Sequence, residues 1–522
     1  MKFFFLVCLL LFTIGCNDKP SVLNPNFISI KNGKFFLKGK PFFPIMLNYV
    51  VCIRDIKNKP VISCTKQYEN PNIFEVNTLN SNENQLRGHL QLIKEMGFNS
   101  LRLVFDRVNT DYKGFYYGEK KRFYIEDDYN SILQALDKYL KLVEEYDLKV
   151  MLLINKPLEN EQLENFTVKL LSKFKSNPTI YAYDFFNEPL YFDLPPNGEL
   201  RDKNDLIKIV KHWGDLVNEY APNQLFTIGF SEPIEVFRWD PSILPLDFIS
   251  FHTYHPLRVP NEIYWYSKYT NKPWLIGETA LPADNDSISY KHQSSFMREV
   301  YQRIIDCNGI GIGWWEFQEL NFSHFEARYS GLLNHEGITL TSDGKYKIIG
   351  TVKPAVKEIK KFANYKKRNC DCKPNYYNML GYSNFLLKGR ILDEDSKLPV
   401  EGAVIRGWND DWSIGQNTFS DKNGYFTLYS NDQCNHFEIS APGMETVKFD
   451  KKNKYVKSKN AIRFQNRKLE YHKISYFPFL RIKENSLDTN LQTDNYIFNF
   501  DKKYFNKYLF KGNLGVIKIT KI

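Results

Sequence analysis

Between Pro44 and Phe317 the chain repeats one rhythm: a short apolar, β-branched or aromatic run, then a longer stretch whose apolar positions recur at helical spacing. The runs fall at residues 44–50, 100–106, 149–155, 179–188, 225–230, 248–254, 274–279 and 309–317. Each has the length and composition of a buried strand. The spacers at 85–96, 127–146, 161–174, 205–220 and 290–307 read as helices; in the first, Leu86, Leu90 and Ile93 share a face and Gly97 ends it. Strands alternating with helices predict an α/β fold, and eight of them predict a (β/α)8 TIM barrel. In such a barrel the C-terminal strand tips open on one mouth, so the polar residues that end these runs should converge there.

The flanks read differently. Residues 27–38 alternate as a hairpin turned at Asn32-Gly33. Residues 51–84 are polar and Asn-rich, a loop of the length usually given to a lid or insertion. A closing helix is expected over 352–362, which places the barrel domain at 27–365 and a polar linker at 366–384. Residues 385–470 carry short alternating runs punctuated by Gly, Asp and Asn, the pattern of a small Ig-like β-sandwich. The remainder, 471–522, is a lysine-rich extension to which only β structure is assigned.

Composition narrows the partners. Lys and Arg total 70 against 60 Asp and Glu, a mildly basic balance spread along the chain. No basic stripe interleaved with aromatics marks a nucleic-acid surface. Aromatics reach 16 %, mostly Tyr and Phe, which suits both β-rich cores and surfaces that stack on sugars. At the N-terminus, Lys2 precedes an apolar run from Phe3 to Ile14, too short to span a membrane and of the kind that directs export. Thr13-Ile14-Gly15-Cys16 resembles a bacterial lipobox. That likeness implies a signal peptide over 1–15, lipidation at Cys16, and an exported lipoprotein of the cell envelope held at the outer membrane or cell surface. In an oxidising compartment Cys52 and Cys64 could bridge their loop, and Cys370 or Cys372 could pair with Cys434. No His/Cys spacing matches a zinc site, so neither metal nor cofactor is expected.

The chemistry concentrates at two tips. The run Thr179–Phe186 ends in Asn187-Glu188-Pro189, and Trp274–Gly277 ends in Glu278. Carboxylates at the ends of buried strands are costly unless paired or used. Two of them across one mouth are what acid-assisted glycosidic cleavage requires. Glu188 is assigned as general acid and then base, and Glu278 as nucleophile. Asn187 would hydrogen-bond the sugar's 2-hydroxyl. His252 and Tyr254, two apart on a strand, share one barrel face and would orient and tune the carboxylates. Asp184, Glu316 and Glu319 are read as structural or rim charges.

Taken together, these residues make the first 360 positions similar to a glycoside hydrolase of clan A, closest to the cellulase-like family 5. Gly39-Lys40-Pro41-Phe42 with Asn48-Tyr49, Gly97-Phe98-Asn99-Ser100-Leu101-Arg102, Phe186-Asn187-Glu188-Pro189, His252-Thr253-Tyr254, Gly277-Glu278 and Trp315-Glu316-Phe317 carry the resemblance in barrel order. It implies that Arg102 contacts the nucleophile, that Trp315 floors the subsite of the cleaved sugar, and that attack proceeds with retention. Many members place a histidine at the third strand's tip, where this chain has Asn155-Lys156. Residues 389–403 and 421–426 resemble the carboxypeptidase-regulatory-like sandwich appended to bacterial exported proteins. The expected function is a retaining β-glycosidase acting on a polysaccharide or oligosaccharide. The alternative, a catalytically silent carbohydrate-binding lipoprotein, would have been free to lose one of the two glutamates.

Overall fold

The computed structural model describes residues 24–69, 76–105, 129–154, 161–193, 201–254, 258–286, 288–320, 328–341, 345–362, 365–371, 385–411, 415–430, 433–451, 456–457, 490–493, 496–499 and 510–522. The signal segment, Cys16, Cys372 and Asn155-Lys156 lie outside them. Strands β1 (Ser29–Lys31), β2 (Lys34–Leu37) and β3 (Lys40–Phe42) form an antiparallel sheet. Then come β4 (Ile45–Asp55), β5 (Pro60–Cys64), β6 (Ser100–Phe105), β7 (Lys149–Leu153), β8 (Ile180–Asn187), β9 (Leu225–Phe230), β10 (Ile249–His252), β11 (Trp274–Thr279) and β12 (Ile312–Trp314). All of these except β5 pair in parallel in the order β4-β6-β7-β8-β9-β10-β11-β12, and β12 returns to β4 through Ile312↔Ile45 and Trp314↔Leu47. That closure makes the eight-stranded TIM barrel.

Each crossover helix is set by ordinary local signals. Helix α1 (Leu79–Met96) starts on a Thr78–Ser81 capping box and stops at Gly97, whose left-handed φ of 102° lets its N–H reach back to Ile93 and Lys94. In α2 (Tyr129–Glu145), Ile132, Leu136, Tyr139 and Val143 recur at three- and four-residue steps and face the sheet. Helices α3 (Glu161–Phe174), α4 (Pro189–Phe192), α5 (Lys203–Tyr220), α6 (Val259–Tyr269), α7 (Tyr290–Asp306) and α8 (Val356–Ile359) complete the ring. Among the described residues no helix is long and apolar enough to cross a membrane.

The β1–β3 sheet closes the barrel's N-terminal end. Phe35 meets Tyr181 and Phe248 edge-on at 6.0 and 5.3 Å, above a separate apolar cluster that includes Met46, Met151, Leu225 and Leu275. Only the opposite end is left for chemistry.

The structure corrects several expectations. Residues 51–69 are not a lid: β4 continues to Asp55 and folds back as β5 through Lys57-Asn58, both at positive φ. Val51-Cys52-Ile53 and Val61-Ile62 supply the apolar strands that the polar average of the segment hid. Cys52 pairs with Ser63 and Val51 with Cys64. The two cysteines are therefore offset by one residue, their side chains leave opposite faces, and no disulfide joins them. Cys370 bridges Cys307 rather than Cys434. That bond pins the start of the expected linker to the end of α7. The closing helix shrinks to the single turn of α8, and the eighth strand to three residues.

The second domain consists of β15 (Phe385–Asp393), β16 (Val404–Trp408), β17 (Gly415–Phe419), β18 (Tyr425–Ser430), β19 (His436–Ser440), β20 (Val447–Asp450), β21 (Val456–Lys457) and β24 (Phe510–Ile519). Two further pairs, β13–β14 (Ile338–Leu340, Tyr346–Ile348) and β22–β23 (Asn490–Thr493, Tyr496–Asn499), stand apart. The sheets β18-β15-β24-β21 and β17-β16-β19-β20 enclose Leu387, Ile391, Ile405, Phe426, Phe437, Ile439 and Leu514. Strand β24, from the supposed extension, lies between β15 and β21 in the middle of one sheet.

Nor are the two domains beads on a linker. Lys203, at the start of α5, is buried; its Nζ donates to Ser440 Oγ (2.9 Å) and Met444 O (2.7 Å) across the interface and pairs with Asp240 at 3.3 Å. Gly443 N–H also reaches Asp240, Trp265 Nε1 donates to Gly402 O at 2.8 Å, and Arg238 pairs with Glu438 at 2.8 Å. Burial pulls the Lys203 ammonium below its usual pKa while Asp240 pushes it back up. Removing one partner of such a buried pair costs about 3–5 kcal/mol. Lys203→Met in the full chain should lose stability on that scale in denaturant unfolding, and an unchanged midpoint would show that the interface contributes little.

Candidate active site

At the open end, strand alternation sorts the side chains. On β6, Leu101 and Leu103 face the helices, leaving Arg102 to point into the barrel. Its guanidinium is completely buried, a position that demands several acceptors. It finds them: Nε and Nη2 bond Asp184 Oδ2 at 2.9 and 2.8 Å, Nη1 bonds Asn48 Oδ1 at 3.2 Å, and Nη2 bonds Asn187 Oδ1 at 2.9 Å. Nη1 also donates to Glu278 Oε1. The facing carboxylates of Asp184 and Glu278 hold the guanidinium pKa above its ordinary value in spite of burial.

Glu278 is the buried tip of β11, and its second oxygen accepts from Tyr254 Oη. Burial first, and then the Glu278 carboxylate, push the Tyr254 phenol well above its usual pKa, so it stays a proton donor. Glu188 follows β8 in a left-handed conformation (φ 47°, ψ 63°), and its N–H bonds Gly229 O at 2.7 Å. A non-glycine residue held at positive φ is uncommon and strained, and such residues gather at functional sites. Its Oε1 lies 2.8 Å from His252 Nδ1, which is 3.7 Å from Glu278 Oε1. A register shift between Phe251 and His252 sets His252 opposite Glu278. One side-chain donor atom from each of Glu188, His252 and Glu278 lies within 4.8 Å of the others.

His252 has a pKa lowered to about 4, by burial first and by Arg102 as well, against the pull of Glu278 and Asp184. The imidazole is neutral at neutral pH. Its Nε2 is buried and, among the described residues, has no hydrogen-bond partner. A bare acceptor is tolerated there better than an orphaned N–H, so we assign the proton to Nδ1, facing Glu188. The ring fits because two neighbouring strands carry glycine. A Cβ on Gly277 would stand 2.3 Å from Ser250 Oγ and 3.0 Å from His252 Nε2, and one on Gly229 would stand 2.9 Å from that same nitrogen.

The structure thus brings together Arg102, Asn187, Glu188, His252, Tyr254 and Glu278. Trp315 lies just past β12, half-buried, with its N–H on Thr279 O at 2.9 Å, while Trp314 is core. Three residues outside the sequence-derived set also matter. Asn48 ties Arg102 to Gly277 O and Trp314 O at 3.0 and 3.1 Å. Asp184 accepts from Gly229 N–H at 2.8 Å besides its bonds to Arg102. Glu235 accepts from Ser231 N–H, Ser231 Oγ and Leu190 N–H, so it braces the turn after Glu188. Two of these had a signal, being polar within buried strand runs. Glu235 had none, since it lies in a 3-10 turn far along the chain. Glu316 and Glu319 are buried rather than rim charges: Tyr68 Oη donates to Glu316 at 2.9 Å, and Lys353 pairs with Glu319 at 2.6 Å.

Glu235 sets a pH dependence. Burial raises its carboxyl to about 8, against the hydrogen bonds from Ser231 and Leu190 and with help from the nearby Glu188. The folded chain therefore holds this proton between the ordinary value near 4.5 and about 8, where the unfolded chain has lost it. The stability it contributes is complete below that lower value and is lost as pH rises through 8. Thermal unfolding midpoints should fall more steeply between pH 5 and 9 for the parent than for Glu235→Gln; parallel curves would assign the proton elsewhere.

The comparisons with known proteins come from three sides. A family model described as cellulase (glycosyl hydrolase family 5) matches residues 57–321, half of the chain. A comparison with curated protein sequences finds no match. Among solved structures, an endo-1,4-β-mannanase from Rhizomucor miehei is similar at 15 % identity and a TM-score of 0.42, over 64 % of this chain and 99 % of that one. A glycoside hydrolase family 5 mannosidase from the same fungus is similar at 12 % identity and a TM-score of 0.41, over 65 % of this chain and 96 % of that one. What those enzymes cleave is a property of those enzymes. The family match spans the strands that carry Arg102, Glu188, His252 and Glu278, and the chain belongs to glycosyl hydrolase family 5 as a glycoside hydrolase acting on O-glycosyl compounds.

Proposed function

We propose that the chain is a retaining β-glycosidase that cleaves O-glycosidic bonds of a polysaccharide or oligosaccharide by double displacement on Glu278 and Glu188. The observation that carries this reading is that one carboxylate oxygen of Glu188 lies within 4.8 Å of one of Glu278. Retaining enzymes hold theirs about 5–5.5 Å apart, whereas inverting ones need about 6.5–9.5 Å to admit a water between them.

In the first step a Glu278 oxygen attacks the anomeric carbon while Glu188 gives its proton to the glycosidic oxygen. The leaving group departs as an alcohol, and a glycosyl ester remains on Glu278. In the second step Glu188 takes a proton from water, the water oxygen attacks the anomeric carbon, and Glu278 leaves as carboxylate. Arg102 and Tyr254 donate to Glu278, which fixes its attack geometry and stabilises it as it departs. Asn187, oriented by Arg102 on its Oδ1, would hydrogen-bond the 2-hydroxyl, and neutral His252 holds Glu188 in place. Trp315 offers a stacking face at the mouth. The silent-binder alternative finds no support, since both carboxylates are present and close.

Beyond the barrel, we read the sandwich as carboxypeptidase-regulatory-like and Ig-like. We also read Cys16 as a lipid anchor that holds the enzyme in the bacterial cell envelope. Support for both is in the sequence alone. Cys16→Ser should move the protein from the membrane fraction to the soluble fraction with its activity intact; membrane retention would remove the anchor.

Glu278→Gln should abolish turnover at nearly constant melting temperature. Glu188→Gln should slow cleavage of substrates with poor leaving groups by about 10²–10⁴-fold, yet spare aryl glycosides whose leaving group needs no proton. Nuclear magnetic resonance of the first-formed product should show the substrate's anomeric configuration. An inverted product would overturn the role of Glu278.

A further inference from the structure

At the tip of β10 the strand's alternation divides four residues between two faces. His252 and Tyr254 point into the barrel, where the first bonds Glu188 and the second Glu278. Phe251 and Thr253 point outward, toward α6. Two residues of that helix, one turn apart, receive them. Phe251 stacks on Tyr266 at 4.0 Å and 15°, and Thr253 Oγ1 donates to Glu262 Oε2 at 2.5 Å. The first pair is ordinary packing. The second joins a hydroxyl to a carboxylate, both buried, where two apolar side chains would pack at less cost.

Thr253 is fixed from two sides. Its N–H donates to the carbonyl of Glu278 at 2.9 Å, which ties its backbone to the nucleophile's own residue. Its hydroxyl is tied to α6. Glu262 in turn is held by Arg258, four residues earlier, whose Nε donates to Oε1 at 3.0 Å. Arg258 also pairs with Glu232, and Glu232 accepts from Asn417 Nδ2 of the sandwich at 3.3 Å. Tyr266 Oη donates to Ser231 O at 2.9 Å, which fastens α6 to the turn that leads to Glu235. The helix that carries Glu262 is therefore anchored at several points.

We propose that Glu262 is a positioning residue for the reaction and acts through Thr253 on both carboxyl groups at once. The proposal rests on the reading of Glu188 as acid and Glu278 as nucleophile. Strand β10 pairs with β9 through Ser250 and Phe251 and ends at His252, so the side-chain bond takes over where the strand stops. A tip free to slide by a fraction of an ångström would carry His252 and Tyr254 with it. Glu188 would then meet the glycosidic oxygen at the wrong angle, and small misplacements of a reacting group are costly in rate. The bond from Thr253 to Glu262 removes that freedom.

The test compares full-length Thr253→Val, which keeps the branch at Cβ and loses the donor, with Thr253→Ser, which keeps the donor. Each is assayed on phenyl and dinitrophenyl β-glycosides of one sugar, and the readout is the ratio of kcat/KM for phenyl to that for dinitrophenyl. Loss of folded protein lowers both rates alike and leaves this ratio unmoved. A displaced acid penalises only the leaving group that needs a proton. The ratio should fall about ten-fold in Thr253→Val and return most of the way in Thr253→Ser. Should Thr253→Val fold poorly, Glu262→Met, which removes the acceptor in place of the donor, should show the same fall. An unchanged ratio in these variants, or a Thr253→Ser ratio as low as that of Thr253→Val, would overturn the proposal. If Glu188 is not the acid, Glu188→Gln leaves the ratio where it was; if only the present proposal fails, the ratio falls in Glu188→Gln and not in Thr253→Val.

Discussion

A guanidinium sealed from water is the constraint on which the site depends. Arg102 is wholly buried, and a charge there is tolerable only if every donor meets an acceptor. Meeting them fixes Asp184, Asn48, Asn187 and Glu278 at once, from three different strands. Glu278 is thereby held by a side chain from another strand, and Asn187 is held beside Glu188, the next residue. One buried side chain, itself bonded to Glu278, thus sets the geometry of the whole cluster.

Such a packed polar layer needs space, and the barrel makes it by omission. Gly229 and Gly277 lack the side chains that would collide with His252, and Gly313 passes so near β11 that a Cβ would lie 2.1 Å from Gly277 O. Below this layer the barrel is filled with Met, Leu and aromatic side chains and stoppered by β1–β3. From the side, Tyr68 on Glu316 and Gln318 Nε2 on Tyr68 O stiffen the segment that carries Trp315. Rigidity reaches the mouth from beneath and from the flank.

The barrel was legible because its signals are local and repeated. Apolar strand runs, helix periodicity and caps such as Thr78 and Gly97 need only near neighbours to be read. The clustered site residues were legible because they end strands, and strand ends of a barrel share one mouth. What failed depends on partners remote in sequence. Cys370 meets Cys307 across 63 residues, a pairing that spacing does not suggest. The hairpin at 51–64 was masked by Asn and Lys in its turn and surroundings. Glu235 reaches the site only through the fold, and β24 could not be placed without the strands on either side of it.

Strand β24 also bears on the order in which the molecule is assembled. It pairs in parallel with β15, whose first residue is separated from its own by well over a hundred positions, and it is flanked by β21 on the other side. The barrel's last helix is complete by Ile359, but the sandwich lacks a central strand until Ile519 has been made. A chain emerging from the ribosome or a translocation pore therefore carries a closed barrel while its companion still has two unpaired edges. Until β24 arrives, the segment that meets Lys203 and Trp265 belongs to a sandwich whose other sheet is unfinished. Unpaired strand edges are the conditions under which chains associate wrongly. Long-range parallel closure of this kind is slow, and the interval before it is the stretch of this protein's life most in need of a chaperone.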